Sequence, residues 1–586
     1  MAFWINRAIL QSTVHLPKLP QTTLRRLTTT KYTGENKVSG IRKETPMSKT
    51  SIDSDPEPPK VIISLEPPDP TDSSSLIIWV KPYDVSWNDF GYISRATICF
   101  IYRGNFEFEY NCKAAYFDPS SGEYVGVGNA IQDASQRLKA TIETSSDRII
   151  SLGQDQETYR TIIRRYGVET SNERLLAAGD LVAATNNGFK KTTDTSALKS
   201  DVFQFSLARE SEAFYAFKNA ASIIRGLAQE DISSGPEKVV VTLSNEDGRD
   251  FEVTFNFDHG ATIPKRTCVI IGKNGVGKSR ALGEISRKAL RGIKRDDWNE
   301  AGRIAASRIL AFTPGTEYTN VFPNEGWKRP ATFYKRLSTS RARSGSARNT
   351  ATSTILELSR NDRRIVEKSR FSIFMDAVQA INRADEIAFK SHSGSQLIKL
   401  NALRTRSEQR RLELLQNMNE AVEPGRQVKG KFFHLSTGEV RFIKLLAQAC
   451  TYIENGSLLL LDEPETHLHP NFIARLMSAL ERLLADTGSC AIVATHSVYV
   501  VREVFHDQVV IVERNEVGDV SVKAPGMRTF GADISTISTF IFGEEDSSFL
   551  AEDTMRRIRE ENLSLDELRE KYGRFLSREI LSDLRS

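Results

Sequence analysis

The sequence predicts an α/β protein whose second half is a nucleotide-binding core on a parallel sheet, preceded by a separate α+β region. Three features predict this. Five short apolar runs, 267–271, 308–312, 457–461, 491–495 and 508–512, alternate with helical stretches, and continuous apolar strands of that kind suit a parallel sheet covered on both faces. The first run leads into Gly272-Lys-Asn-Gly-Val-Gly-Lys278-Ser279, the spacing of a phosphate-binding loop. The third is followed by two adjacent carboxylates, Asp462 and Glu463.

Composition sets the outer bounds. The chain has 586 residues, 39% hydrophobic and 26% charged, with a formal charge of +4. At about 150 residues per domain this leaves room for three or four domains. It excludes a disordered chain, a collagen or a disulfide scaffold. Cys99, Cys112, Cys268, Cys450 and Cys490 show no paired short spacing, which points to reduced thiols in a cytosol-like compartment and to no zinc framework. The apolar runs fall far short of the roughly 18 residues needed to span a bilayer, so no membrane role is expected.

Taken in order, residues 1–46 stand apart. The first 34 include Arg7, Lys18, Arg25, Arg26 and Lys31 and no acid. That composition fits a mitochondrial transit peptide. It also fits translation from Met47, which is preferred here and goes with a cytoplasmic location. Residues 47–75 are rich in proline, serine and acids and read as a linker that buries no core, so 1–75 is expected to be a disordered or mis-called extension. Strands are expected at 76–80, 96–102 and 106–110 and helices at 157–165, 172–184 and 210–228, which makes 76–235 an N-terminal α+β region. Strands at 238–243 and 251–257, joined by Asn-Glu-Asp-Gly, open a lobe over 236–314. Residues 315–430 read as a basic, mostly helical insertion with helices near 363–388 and 396–421. A second lobe follows over 431–545, then C-terminal helices over 546–586.

Four motifs carry chemistry. In the loop 272–279, glycines let backbone N–H groups close on phosphate oxygens and the following helix N-terminus adds a favourable field. Lys278 is placed to reach the β- and γ-phosphates and Ser279 to ligate Mg²⁺. At the end of the strand 457–461, alternation sends Asp462 and Glu463 in different directions, one toward Mg²⁺ and one toward an attacking water. Leu435-Ser436-Thr437-Gly438-Glu439 opens a helix, with Ser436 and Glu439 in an S-x-x-E capping box. That N-terminus, with the Gly438 amide, can meet the γ-phosphate of a nucleotide on another subunit, while capping competes for the Ser436 hydroxyl. Finally, His496 stands just past the strand 491–495, where it can sense the γ-phosphate.

The order of these motifs resembles that of ABC-type ATPases: Walker A, signature, Walker B and switch histidine. The run Asp462-Glu-Pro-Glu-Thr-His-Leu-His-Pro470 is similar to the RecF/OLD-like subgroup, which includes stand-alone ATPases of bacterial antiphage defence systems such as the Septu type. The resemblance covers about 238–543. It implies an ABC-type ATPase head, a P-loop core sheet plus an antiparallel β lobe, carrying the helical insertion and the N-terminal α+β region. It implies that Gly272, Asn274, Gly275, Gly277, Lys278, Ser279 and Arg280 bind ATP, that Ser279 and Asp462 hold Mg²⁺, and that Glu463 and His496 are catalytic. Ser436 and Gly438 would complete the site of a partner head, so that ATP is sandwiched in a homodimer or higher oligomer. Two departures stand out. The signature has Thr437 and Glu439 where transporters favour Gly and Gln, and the strand 308–312 leads into Thr313-Pro314 with no obvious Q-loop glutamine.

Two further patterns stand out. His467 and His469 form H-x-H, but after Pro464 they read as a loop-to-helix turn rather than a metal site. The segment 326–356 carries Lys328, Arg329, Lys335, Arg336, Arg341, Arg343 and Arg348 with Trp327, Phe333 and Tyr334 and no acid, which suits either a solvated surface or contact with DNA or RNA. The expected function is an ATPase that gates an effector nuclease from a separate chain. The alternatives are a repair or recombination ATPase acting on DNA directly, and an ATP-binding scaffold with negligible turnover.

Overall fold

The computed structural model describes residues 58–576 with short breaks, the longest at 293–303 and 341–349. Seven strands build the first sheet: β1 (Lys60–Ser64), β2 (Leu76–Pro82), β3 (Arg95–Tyr102), β4 (Asn105–Asp118), β5 (Glu123–Gly126), β6 (Thr141–Thr144) and β7 (Ile149–Gly153). Their order is β5-β4-β3-β2-β1-β6, with β7 on β4. β1 corrects the expected linker. Val61 and Ile63 are fully buried, because β1 lies between β2 and β6 and pairs with both. Three consecutive β-branched residues outweighed the flanking prolines.

Helices Gln156–Tyr166, Val168–Ala177, Leu181–Asn186 and Ser211–Asn219 cover this sheet. The single helix expected over 172–184 is two helices. Gly179 has φ +67° and a Cβ there would lie 2.1 Å from the Ile149 carbonyl, so the chain turns at that point to pass the strand.

β8 (Lys238–Ser244) and β9 (Asp250–Asn256) form an antiparallel hairpin. The second large sheet contains β10 (Thr267–Ile271), β11 (Arg308–Thr313), β12 (Phe333–Ser338), β19 (Leu458–Asp462), β20 (Cys490–Thr495), β21 (Val509–Arg514) and β22 (Val520–Lys523). Its order is β12-β11-β19-β20-β10-β21-β22, parallel throughout except β22 against β21. Side-chain alternation divides each strand between two layers. Cys268, Ile270, Leu458, Leu460, Ile492 and Ala494 face the hairpin and helix Lys278–Arg291. Val269, Ile271, Leu459, Leu461, Ala491 and Val493 face helices Thr437–Tyr452 and Pro470–Thr487.

The insertion differs most from expectation. β12 lies within it yet forms the edge of the core sheet. The two helices expected near 363–388 and 396–421 are shorter, Arg370–Val378 and Glu408–Asn417, and strands take up much of the rest. The small pair β13 (Arg364–Ile365) and β14 (Lys368–Ser369) precedes the first helix, β15 (Ile387–Lys390) and β16 (Leu397–Lys399) lie between the two, and β17 (Gly425–Val428) and β18 (Lys431–His434) follow the second; the last four form a sheet of order β16-β15-β17-β18. Phe374, Phe389, Leu400 and Leu415 share one buried cluster with Val440, Phe442 and Ile443. The apolar residues that read as helical faces instead meet a core that only the folded chain provides.

A buried ion network ties the first sheet's helices to the core. Glu454, just past helix Thr437–Tyr452, accepts from Arg160 Nη1 and from Arg370 Nη2, each at 3.0 Å. Arg160 also binds Glu230 at 2.7 Å, and Arg308 joins Glu212 at 2.6 Å and the Tyr452 carbonyl at 2.9 Å. Burial pushes the Glu454 carboxyl up, but Arg160, Arg370 and Arg308 outweigh it and hold the group at about 2.

Candidate functional site

In a parallel sheet the strand ends that carry ligands lie along one edge. Here β19, β20 and β10 are neighbours, with Asp462 opposite Ala494 and Ile271 opposite Thr495. The residues following β10, β19 and β20 therefore emerge side by side.

The loop after β10 needs its glycines. A Cβ on Gly272 would sit 2.1 Å from the Val512 carbonyl, and Gly275 and Gly277 have φ of +83° and +102°, a region L side chains rarely adopt. Helix Lys278–Arg291 begins immediately afterwards. Lys278 is buried, and its Nζ donates to the Gly272 carbonyl at 2.9 Å and the Lys273 carbonyl at 3.1 Å, bracing the loop from inside. Burial lowers its pKa against the pull of Glu463, Asp462 and Glu465.

Ser279 Oγ donates to Asp462 Oδ1 at 2.8 Å. Asp462 shares the sheet face of Leu458 and Leu460, which is the face that helix Lys278–Arg291 covers, so strand alternation delivers its carboxylate to the loop. The group is 3% exposed, and burial, with Glu463 and Glu465 nearby, raises its pKa to about 6 against the Ser279 hydrogen bond and Lys278. Its Oδ2 is buried with no hydrogen-bond partner. An orphaned carboxylate oxygen beside a serine hydroxyl fits Mg²⁺, which takes oxygen ligands from one or two protein groups and leaves the rest to phosphate and water.

Glu463 leaves the strand with φ +46°, its amide bonded to the Ala494 carbonyl at 2.8 Å. This turns its side chain away from that of Asp462 and toward His496, whose Nδ1 lies 3.4 Å from Glu463 Oε1. The structure thus brings together Gly272, Gly275, Gly277, Lys278, Ser279, Asp462, Glu463 and His496. Asn274 is exposed on the loop. Arg280 points elsewhere: its guanidinium donates to the Ser244 carbonyl at the end of β8, at 2.8 Å.

Helix Thr437–Tyr452 has the full capping box of Ser436 and Glu439. Ser436 and Thr437 are exposed, while Gly438 is pressed against the chain's own 467–468 turn; a Cβ there would lie 2.8 Å from the His467 carbonyl. Glu439 also meets Arg426 Nη2 of β17 at 2.6 Å. Burial raises the Glu439 pKa, but Arg426 and Ser436 outweigh it and bring the group below the usual carboxylate range. Glu439 therefore ties the start of this helix to β17 of the insertion. His469 caps helix Pro470–Thr487 through Nδ1, and His467 is exposed with φ +68°.

Sequence reasoning missed Glu465. It is buried beneath the end of β20 and accepts from Thr495 Oγ1. The available signal was the third acid in Asp462-Glu-Pro-Glu465. Of the basic segment 326–356, Lys328, Arg329, Arg341, Arg343 and Arg348 lie outside the described residues.

Residues 293–502 match the family model described as "AAA domain, putative AbiEii toxin, Type IV TA system". Protein ea59 of Escherichia phage lambda is 30% identical over 108 residues, 18% of this chain and 20% of that protein. UvrABC system protein A of Listeria monocytogenes is 35% identical over 69 residues, 12% of this chain and 7% of that protein. The chain thus spans a fifth or less of these curated relatives. Among solved structures, cbiO1 of Clostridium perfringens, part of the ABC transporter complex cbiONQ, is 16% identical over 56% of this chain and 97% of that one, at a TM-score of 0.25, too slight a likeness to argue from. The family model places an AAA-type domain over 293–502, and the loop at 272–279 joined to the end of β19 gives this part of the chain the geometry of a P-loop nucleotide-binding site.

Proposed function

We propose that this protein binds and hydrolyses ATP with Mg²⁺ between two heads of a homodimer, and uses that cycle to gate a partner effector, a nuclease on a separate chain, in antiphage defence. The observation that carries the hydrolytic part is the Ser279–Asp462 hydrogen bond with Glu463 beside it. Lys278 and the loop amides bind the phosphates. Ser279 and Asp462 would hold Mg²⁺, which would supply positive charge to offset that of the phosphates. Glu463 takes the proton of the attacking water, and His496 fixes the Glu463 carboxylate and the terminal phosphate relative to each other.

The dimeric part is supported by the exposed Ser436–Thr437 end of a 16-residue helix, a helix N-terminus suited to phosphate. The effector role is supported by the resemblance of the 462–470 run and by the toxin named in the matched family's description. The test is ATP turnover and mass by light scattering, with and without ATP, for the wild type and Glu463→Gln. Turnover lost in Glu463→Gln, with an ATP-dependent doubling of mass, is expected. Unchanged turnover in that variant, or a monomer at all ATP concentrations, overturns the reading.

A further inference from the structure

The turn after β19 is wound so that one carboxylate faces outward and another inward. Thr466 N bonds the Glu463 carbonyl at 3.1 Å and Leu468 N bonds the Glu465 carbonyl at 2.8 Å, with Glu463 and His467 both at positive φ. The Glu463 side chain is 26% exposed and that of Glu465 5%. Glu465 Oε1 accepts from Thr495 Oγ1, and the same Thr495 oxygen accepts from Ser497 N at 2.8 Å. Glu465 thus fixes the residues on both sides of His496. The imidazole lies over this support, its Nδ1 3.8 Å from Glu465 Oε1 and 3.4 Å from Glu463 Oε1. With two carboxylates facing Nδ1, Nε2 is left as the ring atom free to meet a phosphate.

We propose that Glu465 is a positioning residue for His496: through Thr495 and the turn it pins, it aims the imidazole at Glu463 and sets the rate of hydrolysis without contributing to nucleotide affinity. This rests on the hydrolytic reading above. The second oxygen of Glu465 is buried without a hydrogen-bond partner, an arrangement the fold tolerates at some cost. A residue needed only to fill space beneath β20 could be apolar. Groups that orient a functional histidine from behind commonly change activity about 10- to 100-fold when removed.

The test is a double-mutant cycle on the full chain, reading kcat and KM for ATP and the Kd of a fluorescent ATP analogue. Glu465→Ala is expected to lower kcat about tenfold or more, with Kd changed less than about twofold. In a His496→Ala background the same substitution is expected to change kcat less than about twofold, because a residue acting through His496 has nothing left to act on. Glu465→Gln, which keeps the acceptor for Thr495, restores most of the rate. Should Glu465→Ala fail to fold, Thr495→Val removes the same hydrogen bond from the other side and is expected to give the same cycle. Equal losses of kcat in both backgrounds, or a Kd weakened as much as kcat falls, overturn the proposal. A wild type that binds the analogue but releases no phosphate overturns the hydrolytic reading instead, so the two failures are distinct.

Discussion

Ser279 and Asp462 are joined by a 2.8 Å hydrogen bond although 183 residues separate them. The bond closes the site: it joins the first turn of the loop helix to the end of β19 and leaves the second Asp462 oxygen buried and unpaired. Three consequences of the geometry can be measured.

Ser279→Ala removes the hydroxyl that Asp462 Oδ1 accepts from, beside an Oδ2 that already has no hydrogen-bond partner. The Mg²⁺ dependence of ATP affinity is expected to weaken about tenfold or more, while Ser279→Thr keeps it. A Mg²⁺ titration of nucleotide binding by calorimetry reads this. Unaltered Mg²⁺ dependence in the alanine variant would mean that Ser279 does not face the metal.

Gly438→Ala adds a methyl 2.8 Å from the His467 carbonyl, and backbone must move to admit it. The loop at 272–279 is untouched, so nucleotide affinity is expected to hold. Turnover is expected to fall by about 100-fold, since small misplacements of a group in a composite site have effects of that size. Analogue binding and phosphate release, measured on the same preparation, separate the two effects.

Glu454→Gln removes the charge that Arg160 and Arg370 share. Breaking a buried pair on one side costs about 3–5 kcal/mol, so the denaturant midpoint is expected to drop sharply. The wild-type contribution has a definite pH window. The folded pKa of about 2 lies below an ordinary glutamate's value near 4.3, so the stabilisation is complete above that value and fades as pH falls toward 2. In Glu454→Gln that part of the acid dependence is expected to vanish, which denaturation curves at several acidic pH values will show.

The core strands were legible because each is an unbroken apolar run bounded by loop residues; β10 matches the expected range and β11, β19, β20 and β21 differ by a residue or two at their ends. The loop, the Asp462–Glu463 pair and His496 were legible because each motif directly follows a strand, and parallel strands present such ends together. The insertion was not, because Phe374, Phe389 and Leu415 lie on three separate elements and are buried in one cluster with Val440 and Ile443, which come from a helix further along the chain. β1 was hidden by composition: prolines around Val61-Ile62-Ile63 read as linker until β2 and β6 supply strands on either side.

By itself the sequence determined which chemical groups are on offer, since residue type and spacing fix which atoms are able to cradle phosphate, hold a cation or accept a proton. Only the tertiary structure decided which atoms meet: that Ser279 reaches Asp462, that Glu439 anchors to Arg426, that Gly438 lies against His467, and that Glu465 supports the turn bearing His496. These relations depend on strand order and on close approaches between distant segments, and local spacing carries no record of either.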